Sequence, residues 1–173
     1  MPGFNINGSG GGISSVDSKK DVYRSYRWRL VNISGGINIQ AKDLNTALDV
    51  TMPQMDFEIL LVPGMSMDYK IPKKPIFNNV DVTFYDTSGL QEKFEKWADK
   101  IWNPRDGLFE GKAPTNIKAE IKLELLDNND AATRKITLQG AWPKRISHSK
   151  LDMAAGTIKT VIVEFAYDYY CVE

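Results

Sequence analysis

Residues 136–170 read ITLQGAWPKRISHSKLDMAAGTIKTVIVEFAYDYY, and they decide the fold class. Ile136, Leu138, Gly140 and Trp142 alternate with Lys135, Thr137 and Gln139, the period of two that marks a half-buried strand. Pro143 has no N–H to give, so the ladder is expected to end there. A polar turn holding Ser147, His148 and Ser149 leads to what reads as the longest strand of the chain. In it Val161, Val163, Phe165, Tyr167 and Tyr169 share one face, while Thr160, Ile162, Glu164, Ala166 and Asp168 share the other.

Upstream, Ile117 to Leu126 alternates without a fault, apolar against Lys118, Glu120, Lys122 and Glu124, and Asp127–Asp130 supplies turn chemistry. Val80 to Tyr85 is another strand, with Val82 and Phe84 inward. Between them lies the clearest helix, Ser88–Trp102. Leu90, Phe94, Trp97 and Ile101 form one apolar stripe, Ser88 and Gln91 make a capping box, and Asn103-Pro104 stops it. Residues 103–116 read as a Gly/Pro-rich loop. Asp56–Val62 and Met65–Ile71 read as a hairpin around Pro63-Gly64, with Gly64 at positive φ and Pro72 to Pro75 breaking the ladder. Met52, Met55, Met65 and Met67 gather there, as core filler or as an adaptable contact surface. Residues 42–54 lack a clear period and read as a long loop, of a length that is usually functional. Val22–Ile33 and Ile37–Ala41 read as a hairpin, and residues 1–20 as a glycine-rich flexible arm. The expectation is one domain over residues 21–173. It is mainly β, a β-sandwich or open barrel of two packed antiparallel sheets with one outer amphipathic helix.

The 173 residues carry 22 Lys and Arg against 22 Asp and Glu, so no global field draws the chain to nucleic acid or an anionic membrane. One cysteine, Cys171, rules out an intramolecular disulfide and favours a reducing cytoplasm. No apolar run reaches the roughly 20 residues of a membrane span, and no basic-then-apolar start marks a secretion signal.

Catalytic chemistry has little to work with. The one histidine, His148, sits in a polar turn, and adjacency to two serines is not triad geometry. One His and one Cys do not make a typical zinc site, and no carboxylate cluster has oxygen-ligand spacing. Gly8 and Gly10–Gly12 lack the strand and the Gly-Lys-Ser/Thr of a phosphate loop. No enzyme activity, cofactor or metal is expected. Trp28, Trp102 and Trp142 could serve as stacking platforms of a monomeric binding module, although each fits a core position. Long regular strands do leave free edges, and continuing the sheet into a neighbouring copy removes them.

Gly140-Ala141-Trp142-Pro143, Leu151-Asp152 and the Tyr-rich final strand, after a strand–helix unit at 80–102, resemble tail tube proteins of contractile-tailed bacteriophages. The type VI secretion and pyocin tubes are similar to that family. The resemblance implies a structural subunit. Homo-hexameric rings would stack into a hollow tube within a tail sheath, with baseplate and tail terminator proteins at its ends. Phage DNA would pass through the lumen without sequence-specific binding. The particle would be assembled in the host cytoplasm and act without a membrane partner. A tube initiator or terminator, or the tube of a related injection or secretion system, is the alternative. By the same resemblance the 57–71 hairpin and the 117–140 pair are candidates for the lumen wall. Phosphate contacts at every ring would stall DNA passage, so acidic side chains such as Glu58, Asp68, Glu120 or Glu124 are expected to outweigh basic ones there. Asp43, Asn45 and Asp49 in the 42–54 loop, with the N-terminal arm, contact the next ring. Glu92, Lys93 and Lys96 on the helix face the sheath.

Overall fold

The computed structural model describes residues 24–35, 37, 39, 41–107, 114–150 and 156–173. The expected N-terminal arm, its glycine cluster, Val22 and Leu151-Asp152 lie outside them. The described elements run β1 (Trp28–Gly35), α1 (Ala41–Leu44), β2 (Ala47–Val50), β3 (Met55–Val62), β4 (Tyr69–Phe77), β5 (Val80–Tyr85) and α2 (Ser88–Ile101). They continue with α3 (Pro114–Ile117), β6 (Ala119–Leu126), β7 (Ala132–His148), β8 (Thr160–Ala166) and β9 (Tyr169–Val172).

One antiparallel path, β1-β6-β7-β8-β5-β2, folds over at β7 into two facing halves, with β9 added beside the first half of β7. Alternation explains the fold-over. Leu30, Ile121, Leu123, Ile136 and Leu138 from the first half meet Val80, Val82 and Phe165 from the second around one apolar interior. The strand that links them is β7, which pairs with β6 and β9 over its first part and with β8 over Trp142–His148. Pro143 therefore does not end the ladder. It is buried within β7 opposite Phe165, and the register shifts between Pro143 and Arg145, a bulge that accommodates a residue without an N–H. Just before it, Gly140 takes φ 68°, and a Cβ there would collide with the Asp168 carboxylate.

The final strand is also broken where β7 bends. Asp168 N–H donates to the Gln139 carbonyl at 2.9 Å, and β9 resumes with its parity shifted by one. Tyr170 pairs with the buried Leu138 and faces inward, whereas Tyr169, expected on the inner face, is exposed. The longest strand is thus β7, not the last one. Three further boundaries differ from expectation. Of the expected second strand at 37–41, the described residues show an Ile33–Ile39 bridge beside β1. Ile117 closes α3, and its carbonyl accepts the Trp97 indole N–H at 2.7 Å. Finally, α2 is capped by Thr87 without a side-chain bond, and Gln91 donates to Glu95 rather than back to a cap.

The amphipathic helix buries its apolar stripe in the core. Phe94 meets Phe84 and Phe165, and Trp97 meets Phe165, all inward residues of the second half, so α2 closes one end of the sandwich. Trp28 and Trp142 pack at the edge of the core, but Trp102, past the helix, is 48% exposed.

Candidate assembly interface

The most unusual surface is the β3–β4 ribbon. It is a two-stranded sheet of its own, and among the described residues it joins the sandwich at its base. There Thr51 N–H donates to Asp81 and Asn78 N–H to Gln54, so β2–β3 and β4–β5 are one long arm. The stretch 42–54, expected as a loop, is in fact α1, the edge strand β2 and the root of this arm. The eight residues of β3 carry it roughly 25 Å outward.

Register places Met55, Phe57, Ile59 and Leu61 on one face of the ribbon, and Leu60, Val62, Ile71 and Tyr69 on the other. Ile59 is 60% exposed, Leu61 57% and Met67 64%. Met52, Met55 and Met65 are exposed as well, so the methionines are not core filler. The prolines do not break the ladder either: Pro72 pairs with Ile59 and Pro75 with Phe57. Between them the register shifts at Glu58, opposite Lys73 and Lys74. A two-stranded ribbon has only edges, where proline is tolerated. Gly64 is not at positive φ; it is required because a Cβ would meet Met67 O at 2.5 Å and the Tyr69 ring at 2.7 Å. An isolated hairpin is marginal in water, and one that is apolar on both faces needs neighbours.

The second surface is the solvent face of β1, β6, β7 and β9. It is a concavity of about 380 Å³ lined by Glu120, Lys122, Glu124, Lys135, Thr137, Gln139, Cys171 and Glu173. Arg29 holds Glu124 at 2.6 Å, Lys122 holds Glu120 at 2.8 Å, and the Gln139 amide donates to Glu120 at 3.0 Å. The Lys122 ammonium, then Gln139, holds the Glu120 carboxyl below its usual value, and Glu120 raises Lys122 in return. Nothing in the sequence singled out Gln139; only the register brings it to Glu120. Among the described residues this half-sheet ends in two unlike edge strands, β9 and β1, the latter bridged only at Ile33 by Ile39.

The other expected residues are scattered. Asp43 and Lys93, assigned in the sequence to different surfaces, form one ion pair at 2.6 Å that ties α1 to α2. Asn45 and Asp49 are exposed on the rim of a cleft of about 430 Å³ between β1 and β2. Glu92 and Lys96 pair along the outer face of α2 at 2.6 Å, and Lys96 holds the Glu92 carboxyl down. Glu58 sits at the ribbon bulge and Asp68 near its exposed tip. His148 is the exposed end of β7, in a strand rather than a turn. Among the described residues no group of three or more His, Cys, Asp or Glu is placed to hold a metal.

Comparison with known proteins matches residues 37–173 to the family described as "Phage tail tube protein". The tail tube protein of Serratia phage KSP90 is 31% identical over 141 residues, 78% of each chain. Two solved structures share the fold. A chain of the anti-feeding prophage baseplate superimposes with a TM-score of 0.68 at 13% identity, covering 89% of this chain and 97% of that one. A chain of the extracellular contractile injection system PVC sheath-tube complex gives 0.63 at 12%, covering 95% and 99%.

Proposed function

This chain belongs to the phage tail tube protein family and is a structural tube subunit; from there we propose how its copies assemble. Six copies close into a ring, the edge strand β1 of each pairing over its Trp28–Asn32 part with β9 of the next, so the half-sheet carrying Glu120 and Glu124 becomes a continuous inner wall. An unlike pair of edges suits a closed ring, because each contact is heterologous and repeats around an axis. Rings stack into a tube within a contractile tail sheath, capped by terminator and founded on baseplate proteins, and phage DNA passes through the lumen. Assembly takes place in the host cytoplasm, and the subunit catalyses no reaction.

The observation that carries this reading is the ribbon, apolar on both faces and exposed in the lone subunit. Such a surface suits burial between adjacent copies better than a water-filled channel, so Glu58 and Asp68 go with the contact rather than with the lumen. Burying each large side chain contributes about 1.5–3 kcal/mol, ample for a polymer built from many subunits. Asn45 and Asp49, at the root of the arm, face the next ring. The pair Glu92–Lys96 faces the sheath, while Lys93 is a tether within the subunit. Light scattering with negative-stain microscopy tests the reading. Rings or hollow tubes of uniform width are the expected result, and a chain that stays monomeric across salt and concentration overturns it.

A further inference from the structure

The solvent face of β1, β6, β7 and β9 is wired in cross-strand rows. One row runs Arg29, Glu124, Lys135, Glu173, as the register of β1 on β6 and of β6 on β7 places them, with Glu173 bonded through its backbone to Lys135 at 2.8 and 2.9 Å. The next runs Asn32, Lys122, Thr137, Cys171, with Lys122 turned onto Glu120. Sign alternates along the first row, and both carboxylates of β6 are held by a cation at 2.6–2.8 Å. The face is therefore neither the acidic wall expected for the lumen nor a basic one.

We propose, resting on the tube reading above, that this wall is charge-compensated across its strand rows, so that double-stranded DNA passes over it without being held or repelled. A pair separated by less than 3 Å presents only a dipole beyond a few ångströms. At about 0.1 M salt even a net charge is screened over roughly 10 Å. Counterion release, which supplies most non-specific DNA affinity, needs a free cation at each phosphate. At Arg29 and Lys122 a phosphate would have to displace Glu124 or Glu120, and Lys135 stands in its row between Glu124 and Glu173, so a phosphate at its ammonium would meet a carboxylate on either side. Removing the carboxylates converts the wall from neutral to basic without adding a single cation.

The test uses assembled tubes and a short mixed-sequence DNA duplex carrying a fluorophore, read by co-sedimentation. Wild-type tubes are expected to leave the duplex in the supernatant at low salt. Tubes of Glu120→Gln with Glu124→Gln should retain at least about 10-fold more at about 50 mM salt and return to background near about 500 mM. If the double variant does not assemble, Glu124→Gln alone exposes Arg29 and should show the same salt-sensitive gain to a lesser degree. Wild-type tubes that retain the duplex, or variant tubes that retain no more than wild type, overturn the inference. Failure of the tube reading shows before DNA is added. Absence of tubes, or a Cys171 thiol that a bulky maleimide reaches as readily in tubes as in free subunits, overturns both.

Discussion

Strands β3 and β5 have similar apolar content and opposite surroundings. In β5, VDVTFY, apolar and polar residues alternate, and Val80, Val82 and Phe84 are buried while Asp81 and Thr83 between them are half-buried on the other face. In β3, MDFEILLV, four apolar residues run unbroken from Ile59 to Val62, and every residue but Glu58 is exposed. Alternation provides for one buried face, which the subunit itself supplies. An unbroken run provides for two, and a lone subunit with this ribbon supplies neither. The sandwich is finished within the chain, whereas the ribbon is half of something.

The comparison breaks most decisively if the ribbon is removed. Replacing residues 55–77 by a short Gly/Ser linker should abolish tubes in the microscope while leaving a soluble subunit that melts cooperatively near the wild-type temperature. Loss of the fold instead would mean that the ribbon belongs to the core. Next in size is Trp97→Ala, which empties the closed end of the sandwich. It should cost about 3–5 kcal/mol, seen as a melting point about 10 °C lower or as insoluble protein.

A sharper contrast comes from Ile59→Ser. It should change subunit unfolding by less than about 0.5 kcal/mol. It should still raise the concentration needed for assembly by about 10-fold or more, the equivalent of about 1.5–3 kcal/mol of lost burial. Sedimentation against chemical denaturation separates the two readouts. The smallest effect concerns the wall. The folded pKa of Glu120 is depressed, first by Lys122 and then by Gln139, so its contribution is present above about pH 4.5 and is lost as pH falls through the folded value. The raised Lys122 contributes below its ordinary value and loses that contribution at strongly alkaline pH. Glu120→Gln should therefore be less stable than wild type by about 0.2–1 kcal/mol at neutral pH, with the gap closing in acid.

Much of the sandwich was legible because Ile121, Leu123, Ile136, Leu138, Val82 and Phe84 alternate, and alternation is local. What was not legible depends on partners. Pro143 ends a ladder in isolation, but not when a bulge opposite Phe165 absorbs the missing N–H. Tyr169 shares a parity with Phe165 along the chain, yet the bend at Asp168 moves it to the outer face. Residues 47–50 show no period because β2 is a short edge strand. The run Ile59–Val62 was read as an ordinary strand, although its lack of polar positions was the signal for two buried faces. Glu120 and Glu124 share one face of β6, as their alternation predicts, but their pairing with Lys122 and Arg29 depends on the β6 surface and the cross-strand register.

The 17-residue strand β7 has a mechanical consequence. Its first part is hydrogen-bonded between β6 and β9 and its second part to β8, so the two facing halves of the sandwich share a single stave. Sliding one half past the other along that strand would strip ladder bonds on both sides of the bend at Gly140. A load applied to one half is therefore carried through β7 into the other, and the sandwich yields as one body instead of delaminating.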